Sequence, residues 1–132
     1  MLLPNAELLA HAALGDGFAQ AEAASAYLAD TELRPLDALA GAELMARLAI
    51  CHAVPDSARL LATVLMTRAG FEREHGDVSR AAGLDAEAMT LLEQAADAGD
   101  ELAAQAIVTM GDLLPAASFR LLREMKAVET GA

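Results

Sequence analysis

The chain is 132 residues long, carries 20 acidic against nine basic residues for a net charge of −11, and contains one cysteine. A single domain of this length buries enough surface to fold without a metal or disulfides, and the negative charge argues against binding to the phosphate backbone of nucleic acid. Hydrophobic residues make up 55% of the sequence and aromatic residues only 3%. Because alanine supplies much of the hydrophobic share, the composition favours closely packed helices over strands.

The same inventory predicts a cytoplasmic protein. Cys51 cannot form an internal disulfide because no other cysteine is present, and the first residues lack the basic stretch of a secretory leader. Charged residues interrupt every apolar run before it reaches the roughly 20 residues that a membrane-spanning helix needs. We therefore expect no membrane segment.

Turn-forming residues divide the chain into seven segments of helical length. The breaks fall around Gly15, at residues 30–35 and 52–56, and around Gly76, Gly99 and Pro115. Between the breaks, apolar residues recur every three or four positions, which indicates helices. The three glycines suit helix C-termini. Three aspartates stand where N-caps are expected: Asp56, Asp85 and Asp100.

Short connections make neighbouring helices antiparallel, so the segments pair into hairpins. The predicted hairpins span about residues 4–30, 35–76 and 79–114, and an amphipathic helix at about 115–128 closes the open end. We expect one helical-repeat domain over residues 1–132: all-α, with the hairpins stacked as a short right-handed solenoid. A compact helical bundle is the alternative.

The first and third hairpins align with each other without a gap over about twenty residues. Setting Gly15 over Gly99 matches Asp16 with Asp100, and the offset of 84 residues leaves room for one more hairpin between them. Four further positions match in the same register: Ala12 with Ala96, Phe18 with Leu102, Ala19 with Ala103, and Ala23 with Ile107. The pattern predicts small residues at helix crossings and a Gly-Asp corner between them.

Residues 88–114 and 12–27 carry the small residues, the Gly-Asp corner and the alanine pairs of a known repeat. In these positions the chain resembles the Sel-like branch of the tetratricopeptide repeat superfamily, with Tyr27 near the family's aromatic position. Val108 departs from the pattern, since the family usually has glycine there. The resemblance implies a right-handed stack of hairpins whose concave face binds peptides or proteins, and it brings no catalytic residues.

Residues with reactive side chains are few and scattered. His11, His52 and His75 fall at three different helix ends, where an imidazole suits the helix dipole. Glu72 with His75 forms one Glu-x-x-His pair, whereas di-iron bundles need two such pairs and two further glutamates. Cys51 is expected to be a buried, inert thiol. We predict no catalytic, cofactor-binding or metal-binding residues.

Four arginines in the middle of the chain are the predicted partner-binding residues, because arginine is enriched at interfaces and grips carboxylates bidentately. They are Arg59, Arg68, Arg73 and Arg80. Pairing with nearby acidic residues such as Glu72 is the competing interpretation.

The sequence therefore predicts a protein–protein interaction module or adaptor that binds a protein or peptide partner. A homodimer is also compatible with this prediction. One alternative is a small-molecule-binding or enzymatic helical bundle, which would bring the histidines, Glu72 and Cys51 into one pocket. Another is a structural subunit that is stable only within a complex.

Overall fold

A computed structural model describes residues 6–29 and 35–113, with the backbone alone at Pro35 and at 111–113. These residues form six α-helices and no strand, which confirms the all-helical prediction for this part of the chain. The helices are α1 (Ala6–Ala13), α2 (Gly17–Ala29), α3 (Pro35–Cys51), α4 (Ser57–Glu74), α5 (Val78–Asp97) and α6 (Glu101–Leu113). None of these helices is both long and apolar enough to cross a membrane. The predicted closing helix at 115–128 lies outside the described residues.

The chain divides into two compact units, Met1–Val64 and Leu65–Ala132, so the boundary falls within α4. In the first unit, α1 packs on α2 and α2 packs on α3. Leu39 and Ala42 from α3 form a buried cluster with Val64 from α4, and Tyr27 packs against this cluster. A Cβ atom at Gly41 would lie 2.9 Å from the Tyr27 ring, so only glycine lets the ring lie this close to α3.

Two helix connections lie against each other at one end of the first unit. A Cβ atom at Gly17, the first residue of α2, would lie 2.6 Å from Val54 Cγ2 and 2.9 Å from His52 Cβ. Gln20 also joins α2 to α1, because its buried amide Nε2 donates to the carbonyl of Ala12 at 3.0 Å. The first turn of α2 is therefore in contact with the α3–α4 connection through Gly17 and with α1 through Gln20.

In the second unit, α5 packs on α6. The buried face of α5 includes Ala86, Met89 and Leu92, and Ala103 of α6 is also buried. The prediction of Asp85 as an N-cap is wrong: Asp85 lies inside α5 and is 1% exposed. Asp77 is the cap instead, because its carboxylate accepts a hydrogen bond from the backbone N–H of Arg80 at 3.1 Å.

Three helix connections share one geometry. After α5, the N–H of Gly99 donates to the Ala96 carbonyl and the N–H of Asp100 to that of Ala95, and the glycine has φ of +103°. Asp100 then caps α6 by accepting from Ala103 N–H at 3.1 Å. The same glycine conformation, closing bonds and aspartate cap recur at two other connections: Gly15-Asp16 and Gly76-Asp77. Glycine avoids the steric cost of positive φ, and the aspartate satisfies an open N–H group.

Alanine dominates the buried surface. Fifteen of the 21 buried hydrophobic residues in the described ranges are alanines. Small side chains let helix axes approach closely, but each buries less apolar area than a leucine or valine would.

Candidate functional site

The structure separates the four predicted partner-binding arginines into three local environments, and each arginine has an acidic partner. The partners are Asp56 for Arg59, Glu72 for both Arg68 and Arg80, and Asp85 for Arg73. The competing interpretation, local ion pairing, thus describes all four side chains.

Arg73 has a structural role. Its Nη1 atom lies 2.8 Å from Oδ2 of Asp85, whose side chain is 1% exposed. A charged carboxylate that is buried away from water destabilises the folded state unless a cation and hydrogen bonds compensate for its lost hydration. Arg73 supplies both across the connection from α4 to α5.

Arg68 and Arg80 flank the largely buried carboxylate of Glu72. The Nε atom of Arg68 lies 3.9 Å from Glu72 Oε1, and that of Arg80 lies 3.4 Å from the same oxygen. The longer distances indicate weaker electrostatic contacts than the Arg73–Asp85 hydrogen bond. Glu72 ties the end of α4 to the start of α5.

Arg59 lines a cleft within the first unit. The cleft has a volume of about 440 Å³ and lies between α2 and the start of α4. Residues of α2, of the α3–α4 connection and of α4 line it: Ala21, Glu22, Ser25, Pro55, Asp56, Ser57, Arg59, Leu60 and Thr63. Of the four arginines, Arg59 is the one among these lining residues.

The α3–α4 connection shapes one wall of this cleft. It ends α3 with the same backbone bonds as the Gly-Asp connections, from Ala53 N–H to Ile50 and from Val54 N–H to Ala49. Here, however, two residues with side chains adopt positive φ: Ala53 at 54° and Asp56 at 68°. This conformation costs roughly 1–2 kcal/mol for such residues.

Hydrogen bonds and an ion pair hold the polar groups of that wall. Ser57 is buried, and its hydroxyl donates to the Val54 carbonyl at 2.7 Å. Asp56 Oδ1 lies 2.7 Å from Nη2 of Arg59. The Thr63 hydroxyl donates to the Arg59 carbonyl at 3.0 Å. The Arg59 guanidinium is thereby held beside Asp56 in the lining of the cleft.

The candidate residues for chemistry do not line this cleft. His11 lies in the last turn of α1, with Nε2 4.0 Å from Glu7 Oε1. His52 is exposed and directly follows α3. In the second unit, the His75 ring stacks on Phe71 with centroids 4.1 Å apart, and its Nδ1 lies 2.8 Å from the Phe71 carbonyl oxygen. All three histidines lie at helix ends, as predicted, and all three are exposed.

The prediction that Cys51 is buried is wrong, since its side chain is exposed. The apolar residues of α3 occupy two faces, and the sequence does not say which is inside. The alanine-rich face with Ala42, Ala46 and Ala49 is buried, whereas Leu44 is 56% exposed. Cys51 ends the helix on the exposed side. In the described part of the chain, no three His, Cys, Asp or Glu residues cluster closely enough to hold a metal ion.

Sequence reasoning missed the large apolar side chains on the surface. Among the described residues, the exposed ones are Leu14, Phe18, Leu36 and Leu44 in the first unit and Val78, Leu102 and Val108 in the second. Leu14 is 86% exposed and Phe18 72%. One signal was available, because Phe18 and Leu102 occupy the same position after their Gly-Asp corners and both are exposed.

Comparison of the chain with protein-family models, with curated proteins and with solved structures found no match.

Proposed function

We propose that this chain is a helical-repeat interaction module that binds a protein or peptide partner. The observation that carries the proposal is how small and large apolar side chains are distributed between the core and the surface. The core is mostly alanine, while leucines, valines and a phenylalanine are exposed. Burying a large apolar side chain contributes about 1.5–3 kcal/mol. Leaving seven of them in water within the described ranges forgoes stability that partner binding would recover.

We further propose that the hairpins stack as a short right-handed solenoid, as the resemblance to Sel-like tetratricopeptide repeats implies. The contact of Gly17 with Val54 supports this arrangement, because it brings the α1–α2 and α3–α4 connections together at the same end of the first unit. The repeated Gly-Asp corner also supports it. That corner follows α4 as well as α1 and α5, so it is a general connector of this chain and does not by itself define the repeat.

Of the four arginines, Arg59 is the strongest candidate for contact with a partner, because it lines a cleft. Arg73 is committed to the buried Asp85. The enzymatic or small-molecule alternative has less support, since none of His11, Cys51 and His52 lines this cleft. A homodimer, or a subunit stable only within a complex, would cover the same apolar side chains.

A random-peptide display selection against the purified full chain tests the proposal. We expect reproducibly enriched peptides that bind with micromolar affinity. Replacing an exposed apolar residue, Phe18→Ser or Leu44→Ser, should weaken binding at least three-fold without changing the unfolding midpoint. Glu101→Gln, an exposed polar site, is the matched control. Light scattering on the same sample identifies a dimer.

The interaction module would be contradicted if the selection enriches no peptide and the chain stays monomeric at high concentration. A chain that aggregates when expressed alone, and is recovered only with a co-purifying protein, would favour the obligate subunit.

A further inference from the structure

We propose that the cleft between α2 and α4 binds a cationic side chain, lysine or arginine, presented by the partner. This inference rests on the proposed function and deepens it by naming the chemistry of one contact. Three observations support it: the charge of the cleft, the nature of its walls, and the charge of the surrounding unit.

The cleft carries an excess of one negative charge. Its charged lining residues are Glu22, Asp56 and Arg59. Asp56 and Arg59 neutralise each other across 2.7 Å. Glu22 is exposed on the opposite wall, and within the described residues it forms no ion pair. A ligand ammonium or guanidinium could therefore pair with Glu22 without displacing an arginine already there.

The remaining walls fit the rest of such a side chain. Ala21, Pro55 and Leu60 provide apolar surface along which the methylene stem of lysine or arginine can lie. The hydroxyl of Ser25, on the same turn of α2 as Glu22, provides an acceptor for a second N–H group. The volume of about 440 Å³ falls in the usual range for ligand clefts.

The surrounding charge favours the same occupant. The described residues of the first unit, 6–29 and 35–64, hold six acidic residues and two arginines. Both arginines pair with carboxylates, Arg47 with Glu43 and Arg59 with Asp56. A net negative surface steers cationic partners towards it and repels anionic ones.

The test is an NMR titration of the ¹⁵N-labelled full chain with three blocked pentapeptides, acetyl-Gly-Leu-X-Leu-Gly-amide, in which X is lysine, norleucine or glutamate. We expect the lysine peptide to shift the backbone amides of Glu22, Ser25 and Thr63 saturably. The norleucine and glutamate peptides should bind at least three-fold more weakly. Raising the salt concentration should weaken the lysine peptide selectively, because an exposed ion pair is screened.

Two variants localise the effect. Glu22→Gln should weaken the lysine peptide roughly two- to five-fold, the range expected for one exposed ion pair. Asp37→Asn removes an exposed carboxylate of the same unit that does not line the cleft, and should leave binding unchanged.

Preference for the glutamate peptide, with loss of binding in Arg59→Gln, would overturn the proposal in favour of a carboxylate site. Equal binding of the norleucine peptide, an unaffected Glu22→Gln variant, or no saturable shift with any peptide would overturn it as well. These outcomes leave the interaction module standing if display selection still enriches peptides, so the two proposals fail separately.

Discussion

The two connections that flank α4 both turn the chain through residues with positive φ, but they use different residues to do so. Between α3 and α4, Ala53 and Asp56 adopt positive φ, and the Asp56–Arg59 pair stands at the rim of a cleft. Between α4 and α5, a glycine, Gly76, adopts positive φ. Asp77 caps the next helix there.

An arginine–aspartate pair with a short contact lies near each connection, Arg59–Asp56 at the first and Arg73–Asp85 at the second, but the surroundings differ. Asp85 is 1% exposed, whereas Asp56 is 69% exposed. Removing one partner of a buried ion pair lowers stability strongly, whereas removing one partner of an exposed pair has a small effect. The α4–α5 connection therefore has a structural role. The α3–α4 connection instead combines a strained backbone with exposed polar groups that a ligand can contact.

The largest contrast is expected from removing the two arginines. Arg73→Ala removes the cation that lies 2.8 Å from the buried Asp85 carboxylate and should lower the free energy of unfolding by about 3 kcal/mol. Arg59→Ala should lower it by less than about 1 kcal/mol, because its pair is exposed to solvent. Urea unfolding followed by circular dichroism measures both.

A double variant, Arg73→Met with Asp85→Leu, is the control for that experiment. It removes both charges and should recover much of the stability lost in Arg73→Ala. Equal losses for Arg73→Ala and Arg59→Ala would contradict the distinction between the two connections.

The next effect tests the packing of the α3–α4 connection against α2. Gly17→Ala places a methyl group 2.6 Å from Val54 Cγ2 and should cost about 1–3 kcal/mol through overpacking. Gly70→Ala, inside α4 with no atom within 4 Å of the new Cβ, should instead gain about 0.5–1 kcal/mol. Thermal melts that move in the same direction for both variants would show that Gly17 is not closely packed.

Exchanging glycine and alanine at the two connections should give effects of opposite sign. Gly76→Ala forces a side chain into φ of +87°, with no steric neighbour to complicate the result, and should cost about 1–2 kcal/mol. Ala53→Gly relieves the same strain and should gain up to about 1 kcal/mol, reduced by the added freedom of the unfolded chain. A loss of stability in Ala53→Gly, measured in urea, would argue against strain at that residue.

The smallest contrast concerns the two aspartates of the connections. Asp77→Ala removes the cap of α5 and should cost about 1 kcal/mol. Asp56→Ala removes an exposed ion pair and should cost about 0.5 kcal/mol or less. Hydrogen exchange at the first turns of α4 and α5 reports the two effects separately, and faster exchange confined to α4 would reverse the assignment.

The sequence was sufficient to predict the helices and the Gly-Asp corners, because both depend on neighbouring residues. It was insufficient to place Asp85 inside α5, because the contact of Asp85 with Arg73 joins residues on two different helices. The prediction for Cys51 was wrong for a similar reason: α3 has two apolar faces, and the folded unit buries the alanine face.

The cleft could not be predicted from spacing alone. Glu22 and Arg59 are 37 positions apart in sequence, and they share a cleft only because α2 and α4 approach each other in the folded unit. The local signal was the change from Gly-Asp to Ala-Val-Pro-Asp-Ser at residues 53–57, which marks this connection as different without saying what it lines.

The most direct test of partner binding is to map a display-selected peptide onto the ¹⁵N-labelled full chain by NMR. We predict amide shifts at the cleft residues Glu22 and Thr63 and beside the exposed Phe18, with residues 73–85 unchanged. Shifts confined to residues 73–85 would contradict the assignment of the two connections, and the absence of any selected peptide, in a chain that also stays monomeric, would contradict the interaction module itself.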